Sequence, residues 1–136
     1  MKRLVNHYRS AARVLAWIGI FAITVLSVVP ANDRPVTGSG LWLFGLWFGP
    51  WFRQWFEHFT AFALVAGMFA IGYRFSLIRL LLLAFFFCGG IELLQVPLPT
   101  RHARVSDFVI DFAASCFAIA VVFVSDNLIG RNRQSA

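Results

Sequence analysis

"GIELLQVPLPTRHARVSDFVIDFAAS", residues 90–115, decides how this chain is read. Apolar helical sequence carries Glu92 and Gln95, breaks at Pro97 and Pro99, passes Arg101, His102 and Arg104, and resumes with Asp107 and Asp111 inside a second apolar run. Proline lacks the backbone donor and pushes the preceding residue toward extended geometry, so one helix ends near Val96. Ser106 suits the N-cap of the next, and Asp107 in its first turn meets the positive end of the helix dipole. A connection this short makes the two helices antiparallel neighbours. The question is why so greasy a chain puts carboxylates inside both.

The surrounding composition supplies the setting. Over 136 residues, 60% are hydrophobic and only 13% charged, against about a quarter charged in soluble domains. With a mean hydropathy of +0.75, the chain reads as an integral membrane protein, one all-α domain covering residues 1–136 with room for four spans of about 20 residues. The net charge of +6 could indicate a nucleic-acid partner, but the cations flank apolar runs and do not form a patch, so no nucleic-acid binding is expected.

Four spans follow from the breakers. The first covers about residues 11–29 and stops at Pro30, before the turn-forming "ANDRP". A basic start ahead of an apolar run also fits a cleaved signal sequence, with "VPA" before Asn32, but the polytopic remainder favours a retained span. The second starts after Gly49-Pro50 and runs through about 50–73, its first turns carrying Arg53, Gln54, Glu57 and His58 in the headgroup zone. The third and fourth cover about 76–96 and 107–125. Between the first two lies "TGSGLWLFGLWFGPWF", whose apolar runs are broken by Gly and rich in Trp. It reads as an interfacial or re-entrant aromatic segment.

Counting cations sets the orientation. With the N-terminus inside, Lys2, Arg3, Arg9, Arg13, Arg74, Arg79, Arg131 and Arg133 fall on the cytoplasmic side, and Arg34, Arg53, Arg101 and Arg104 outside. The excess favours both termini in the cytoplasm. Acids show the reverse bias, with only Asp126 inside.

This topology gathers Glu57, His58, Glu92, Gln95, Asp107 and Asp111 at the outer ends of three helices, under a loop carrying Arg101 and Arg104. A charge at mid-bilayer costs on the order of 3 kcal/mol, so such residues need a partner or a purpose. Glu92 and Gln95 are spaced i,i+3 and Asp107 and Asp111 i,i+4, so each pair shares one helix face. Arg suits the loop because its planar fork clamps a carboxylate or phosphate at two points while staying charged.

Together, "EHFTAFALVAGMFAIGY" and "IELLQVPLPTRHARVSDFVIDFAAS" resemble the VanZ-like family of small membrane proteins, in which a His-Phe pair opens one helix and Glu-x-x-Gln, a Pro and Arg loop and an Asp-led helix follow. "DRPVTG", residues 33–38, is similar to the family's bacterial outer loop. The chain departs from the pattern at Gln54 and Trp55, where many relatives carry Asp-Lys, so no role of that Lys carries over. The resemblance implies a multi-pass protein of the bacterial plasma membrane, linked at most to resistance against glycopeptides of the teicoplanin type.

Three readings of the cluster follow. In the first, Arg101 and Arg104 grip an anionic headgroup of a membrane lipid or lipid-tailed envelope compound, with Glu92 and Asp111 orienting them and His58 as a further donor. In the second, acids and arginines tie the helices in register, each tie contributing ~0.6–2 kcal/mol. In the third, His58 beside Glu57 acts as general base of a lipid-modifying enzyme with the arginines on a developing oxyanion, although no nucleophile stands in a recognisable setting. No HExxH or CxxC spacing occurs, so neither metal nor other cofactor is expected. Cys88 and Cys116 fall at similar depth and read as buried thiols, not a disulfide. Gly89-Gly90 predicts close helix approach, a kink being the alternative.

Overall fold

In the computed structural model, residues 2–29, 42–98 and 104–134 are described, and they form four helices: α1 (Lys2–Val28), α2 (Trp42–Gly72), α3 (Leu77–Gln95) and α4 (Val105–Gln134). Each contains a stretch long and apolar enough to cross a membrane: Asn6–Val28, Gln54–Gly72, Leu77–Gln95 and Val105–Leu128. Large apolar side chains such as Phe21, Ile78, Phe86 and Phe117 are exposed on the outside of the bundle. That distribution suits a hydrocarbon solvent, in which apolar surface carries no penalty and every backbone polar group must be satisfied within its helix.

The boundaries differ from expectation at four places. α1 is helical from Lys2, well before the apolar run, and α4 continues to Gln134. α2 begins at Trp42, so Gly49-Pro50 lies inside it and does not start it. An internal Pro costs one hydrogen bond and some strain, a loss that membrane helices accommodate through local adjustment. The preceding part of the expected aromatic segment, residues 37–41, lies outside the described residues. α4 begins at Val105, so Ser106 is not its N-cap; the Arg104 carbonyl accepts the first helical bonds, from the Asp107 and Phe108 amides at 3.0 and 3.3 Å. Asp107 does occupy the first turn.

Packing fixes the directions. Arg13 meets Gly72 while Gly19 faces Val65, so α1 and α2 are antiparallel. His58 meets Asp111 and Gly67 faces Ala118, so α2 and α4 run parallel. Cys88 meets Ser115 and Gly89 faces Phe108, which makes α3 and α4 the antiparallel neighbours that the short loop requires. In order of contact the helices form a ring α1–α2–α4–α3, with α2 on α4 the most extensive side and α1 on α3 the loosest.

The close approach falls at single glycines that no dipeptide or motif marks. A Cβ at Gly90 would meet nothing within 4 Å, and one at Gly89 would make an ordinary contact with Phe108, so this pair does not bring α3 against a neighbour. Gly19 does so for α1: a Cβ there would lie 2.5 Å from Val65 Cγ2. At Gly72 a Cβ would come 3.1 Å from the Arg13 backbone nitrogen. The same end is closed by Arg13, whose Nε donates to the Gly72 carbonyl at 2.8 Å and whose guanidinium lies 5.2 Å from the Tyr73 ring centre. A cation on the last carbonyls of α2 is favourable to its dipole. Trp17 Nε1 donates to the Tyr73 hydroxyl at 2.9 Å, and Phe69, Tyr73 and Phe75 stack beside it.

Candidate functional site

At the opposite end from Arg13, three helices contribute one polar layer. α2 supplies His58, α3 supplies Glu92 and Gln95, and α4 supplies Asp107 and Asp111; all but the half-buried His58 are buried, and Asp111 has no exposed surface at all. His58 Nδ1 lies 3.0 Å from Asp111 Oδ1, joining α2 to α4. The imidazole also stacks nearly parallel on Phe62, one helical turn deeper, which fixes the ring plane. The other Asp111 oxygen, Oδ2, is buried with no hydrogen-bond partner among the described residues.

Glu92 does something that side-chain patterns do not reveal. Its Oε2 accepts a hydrogen bond from the Arg104 backbone N–H at 3.0 Å. Arg104 stands at the N-cap position of α4, where backbone donors have no helical partner, so a carboxylate from α3 does what a local cap would do. Negative charge at this end also suits the α4 dipole. Holding the main chain in this way leaves the Arg104 side chain exposed at the bundle end. Glu92 Oε1, like Asp111 Oδ2, is buried without a partner among the described residues. Ser106 Oγ donates to Asp107 Oδ1 at 3.1 Å, a contact within the first turn.

Of the residues singled out from sequence, the structure thus brings together His58, Glu92, Gln95, Asp107, Asp111 and the Arg104 backbone. Glu57 is half-buried one residue before His58. Arg101 and His102 lie outside the described residues. A carboxylate beside His58 is that of Asp111, 53 residues away, whereas successive helical residues such as Glu57 and His58 point about 100° apart. Among the described residues, no three His, Cys, Asp or Glu side chains converge in a way that could hold a metal ion.

One turn inward, each helix presents the residue four positions along: Phe62 below His58, Cys88 below Glu92, Ser115 below Asp111. Ser115 Oγ donates to the Asp111 carbonyl at 2.8 Å, and Cys88 Sγ lies 3.9 Å from that hydroxyl. Both cysteines are free thiols. Phe62, Cys88, Ile91 and Ala114 form the buried core of this half.

Sequence reasoning missed the space beneath this layer. An apolar cavity of about 230 Å³ lies among all four helices, with Trp17, Phe62, Phe69, Leu83 and Phe87 in its wall and Ser115 as its polar edge. A void created by tertiary packing has no signature in linear sequence.

The fold and this site define a multi-pass helical membrane protein with a buried polar layer above an apolar cavity. Compared with known proteins, the chain matches no protein-family model, and no curated protein or solved structure is significantly similar to it.

Proposed function

We propose that the protein is a VanZ-like component of the bacterial plasma membrane whose polar end faces the outer leaflet and binds an anionic lipid headgroup or a lipid-tailed envelope compound, with a link to glycopeptide resistance of the teicoplanin type. Both termini are then cytoplasmic, as the excess of Lys and Arg at that side favours. Arg104 and Arg101 provide the cationic grip, while Glu92 sets the loop and the His58–Asp111 pair anchors α2 to α4. The observation that carries the reading is the buried carboxylate oxygen left without a partner among the described residues on both Glu92 and Asp111. Buried polar groups are ordinarily hydrogen-bonded, and exceptions call for a missing donor. A set of helix ties would leave no acceptor over. The loop cations that hold the headgroup would supply the donors, since the anionic group itself only accepts.

The test replaces Arg101 or Arg104 by Ala. Lipid retention and any resistance phenotype are lost while abundance stays near wild type. If abundance falls in step with the phenotype, the cluster serves only to tie helices together.

A second reading rests on the His58–Asp111 contact, since a buried carboxylate on an imidazole nitrogen is how a general base is oriented. It places a lipid-modifying reaction at the same end, with Arg101 and Arg104 on the developing negative charge. His58→Ala would then stop turnover of an extracted lipid and leave its binding intact.

A further inference from the structure

The cavity sits where the hydrocarbon part of an amphiphile would hang if its headgroup occupied the polar layer. His58, Glu92 and Asp111 define one level, and Phe62, Cys88 and Ser115 define the next, one turn of about 5.4 Å deeper. The cavity begins at that second level, with Phe62 and Ser115 in its wall, and continues toward Trp17 and Phe69. Its lining is apolar apart from the Ser115 hydroxyl, which is already engaged with the Asp111 carbonyl. Water needs two to four polar partners to occupy such a space, whereas a dry cavity of about 150 Å³ is enough to take up benzene. At about 230 Å³ this one is larger.

Its mouth is lateral. Of the residues in the wall, two are exposed: Trp17 at 56% and Leu83 at 47%. They stand on α1 and α3, the loosest side of the helix ring. Both belong to membrane-crossing segments, so the medium outside this mouth is lipid hydrocarbon. Dispersion contacts between a chain and these walls would replace the contacts that an empty void forfeits.

We infer that the cavity is a slot for one hydrocarbon chain of a lipid, entered sideways between Trp17 of α1 and Leu83 of α3, with the headgroup directed to the polar layer above Phe62 and Ser115. The inference rests on the headgroup reading and specifies the ligand as a membrane lipid that reaches the site from within the bilayer.

The experiment uses the full chain in vesicles of phosphatidylcholine and phosphatidylglycerol, each lipid in turn carrying a photoreactive diazirine on one acyl chain. After irradiation, adducts are mapped by peptide mass spectrometry. Wild type should be labelled at the slot positions Phe62, Val65, Phe69, Leu80 and Phe87, as well as at the lipid-facing Phe21 and Phe117. Ala84→Trp, which fills the slot, should cut the slot adducts about tenfold, equivalent to some 1.4 kcal/mol, and leave Phe21 and Phe117 labelled as before. Ala66→Leu is the milder filling variant and should act in the same direction if Ala84→Trp fails to fold. Adducts confined to lipid-facing positions, or slot adducts unchanged in a folded filling variant, overturn the slot. Slot labelling that is equal for both lipids sustains the slot and overturns the anionic-headgroup reading. Phosphatidylglycerol retention without slot labelling does the reverse.

Discussion

Removing His58 gives the sharpest energetic consequence of this geometry. Asp111 is fully buried, one of its oxygens has no partner among the described residues, and the other is held by His58 across the α2–α4 interface. Two magnitudes compete. An ordinary interhelical hydrogen bond within a membrane contributes about 0.6 kcal/mol and at most about 1.7. Removing the donor to a buried acceptor costs about 1–3 kcal/mol, because the acceptor is stranded away from water. The His58–Asp111 contact is of the second kind, because Asp111 is fully buried, so His58→Ala should lower the unfolding free energy by about 1–3 kcal/mol. Replacing both residues, with His58→Phe and Asp111→Leu, removes the acceptor together with its partner, and replacing both partners by apolar groups of similar shape can be nearly neutral or stabilising. The double variant should therefore be nearer to wild type than His58→Ala is, and it should still lose lipid binding. Reversible unfolding in bicelles, followed by tryptophan fluorescence, reads the stabilities, and copurified lipid reads the function. A His58→Ala cost below about 1 kcal/mol, or a double variant no more stable than the single one, would refute the reasoning.

Two further perturbations test the helix contacts. Glu92→Ala leaves the Arg104 N–H without its acceptor at the start of α4, a loss of about 1.5–3 kcal/mol for a bond to a charged group; the Arg104 amide should exchange hydrogen faster, and Glu92→Gln, which keeps a carbonyl acceptor, should lose less. Gly19→Ala places a methyl against the Val65 branch, which a helix holds in one rotamer, and overpacking of this kind costs about 1–3 kcal/mol. Val65→Ala in the same chain should recover most of that loss in the same unfolding assay.

The legible part of the fold was whatever depends on periodicity and breakers. Four apolar runs, the proline stop after Val96 and the short loop were enough to make α3 and α4 antiparallel and to bring Glu92 and Asp111 to the same end. Glu92 with Gln95 and Asp107 with Asp111 could be paired on helix faces because i,i+3 and i,i+4 spacing is local. Partners were not local. His58 and Asp111 are 53 residues apart, and only the parallel packing of α2 on α4 joins them, so the adjacent Glu57 looked like the natural partner. The acceptor role of Glu92 was hidden for another reason: its donor is a backbone amide, which every residue but proline carries. Gly89-Gly90 stood out as a dipeptide, yet Gly19, a single glycine in an apolar run, makes the close contact. Gly49-Pro50 read as a helix start although α2 runs through it, since a membrane helix tolerates the breaker that would end a soluble one.

Native mass spectrometry of the full chain released from mild detergent tests the central claim most directly, comparing wild type with Arg101→Ala and with Arg104→Ala. Wild type should carry one anionic lipid species that both variants lose while remaining folded. The same lipid adducts on all three proteins would contradict a headgroup site at this end of the bundle.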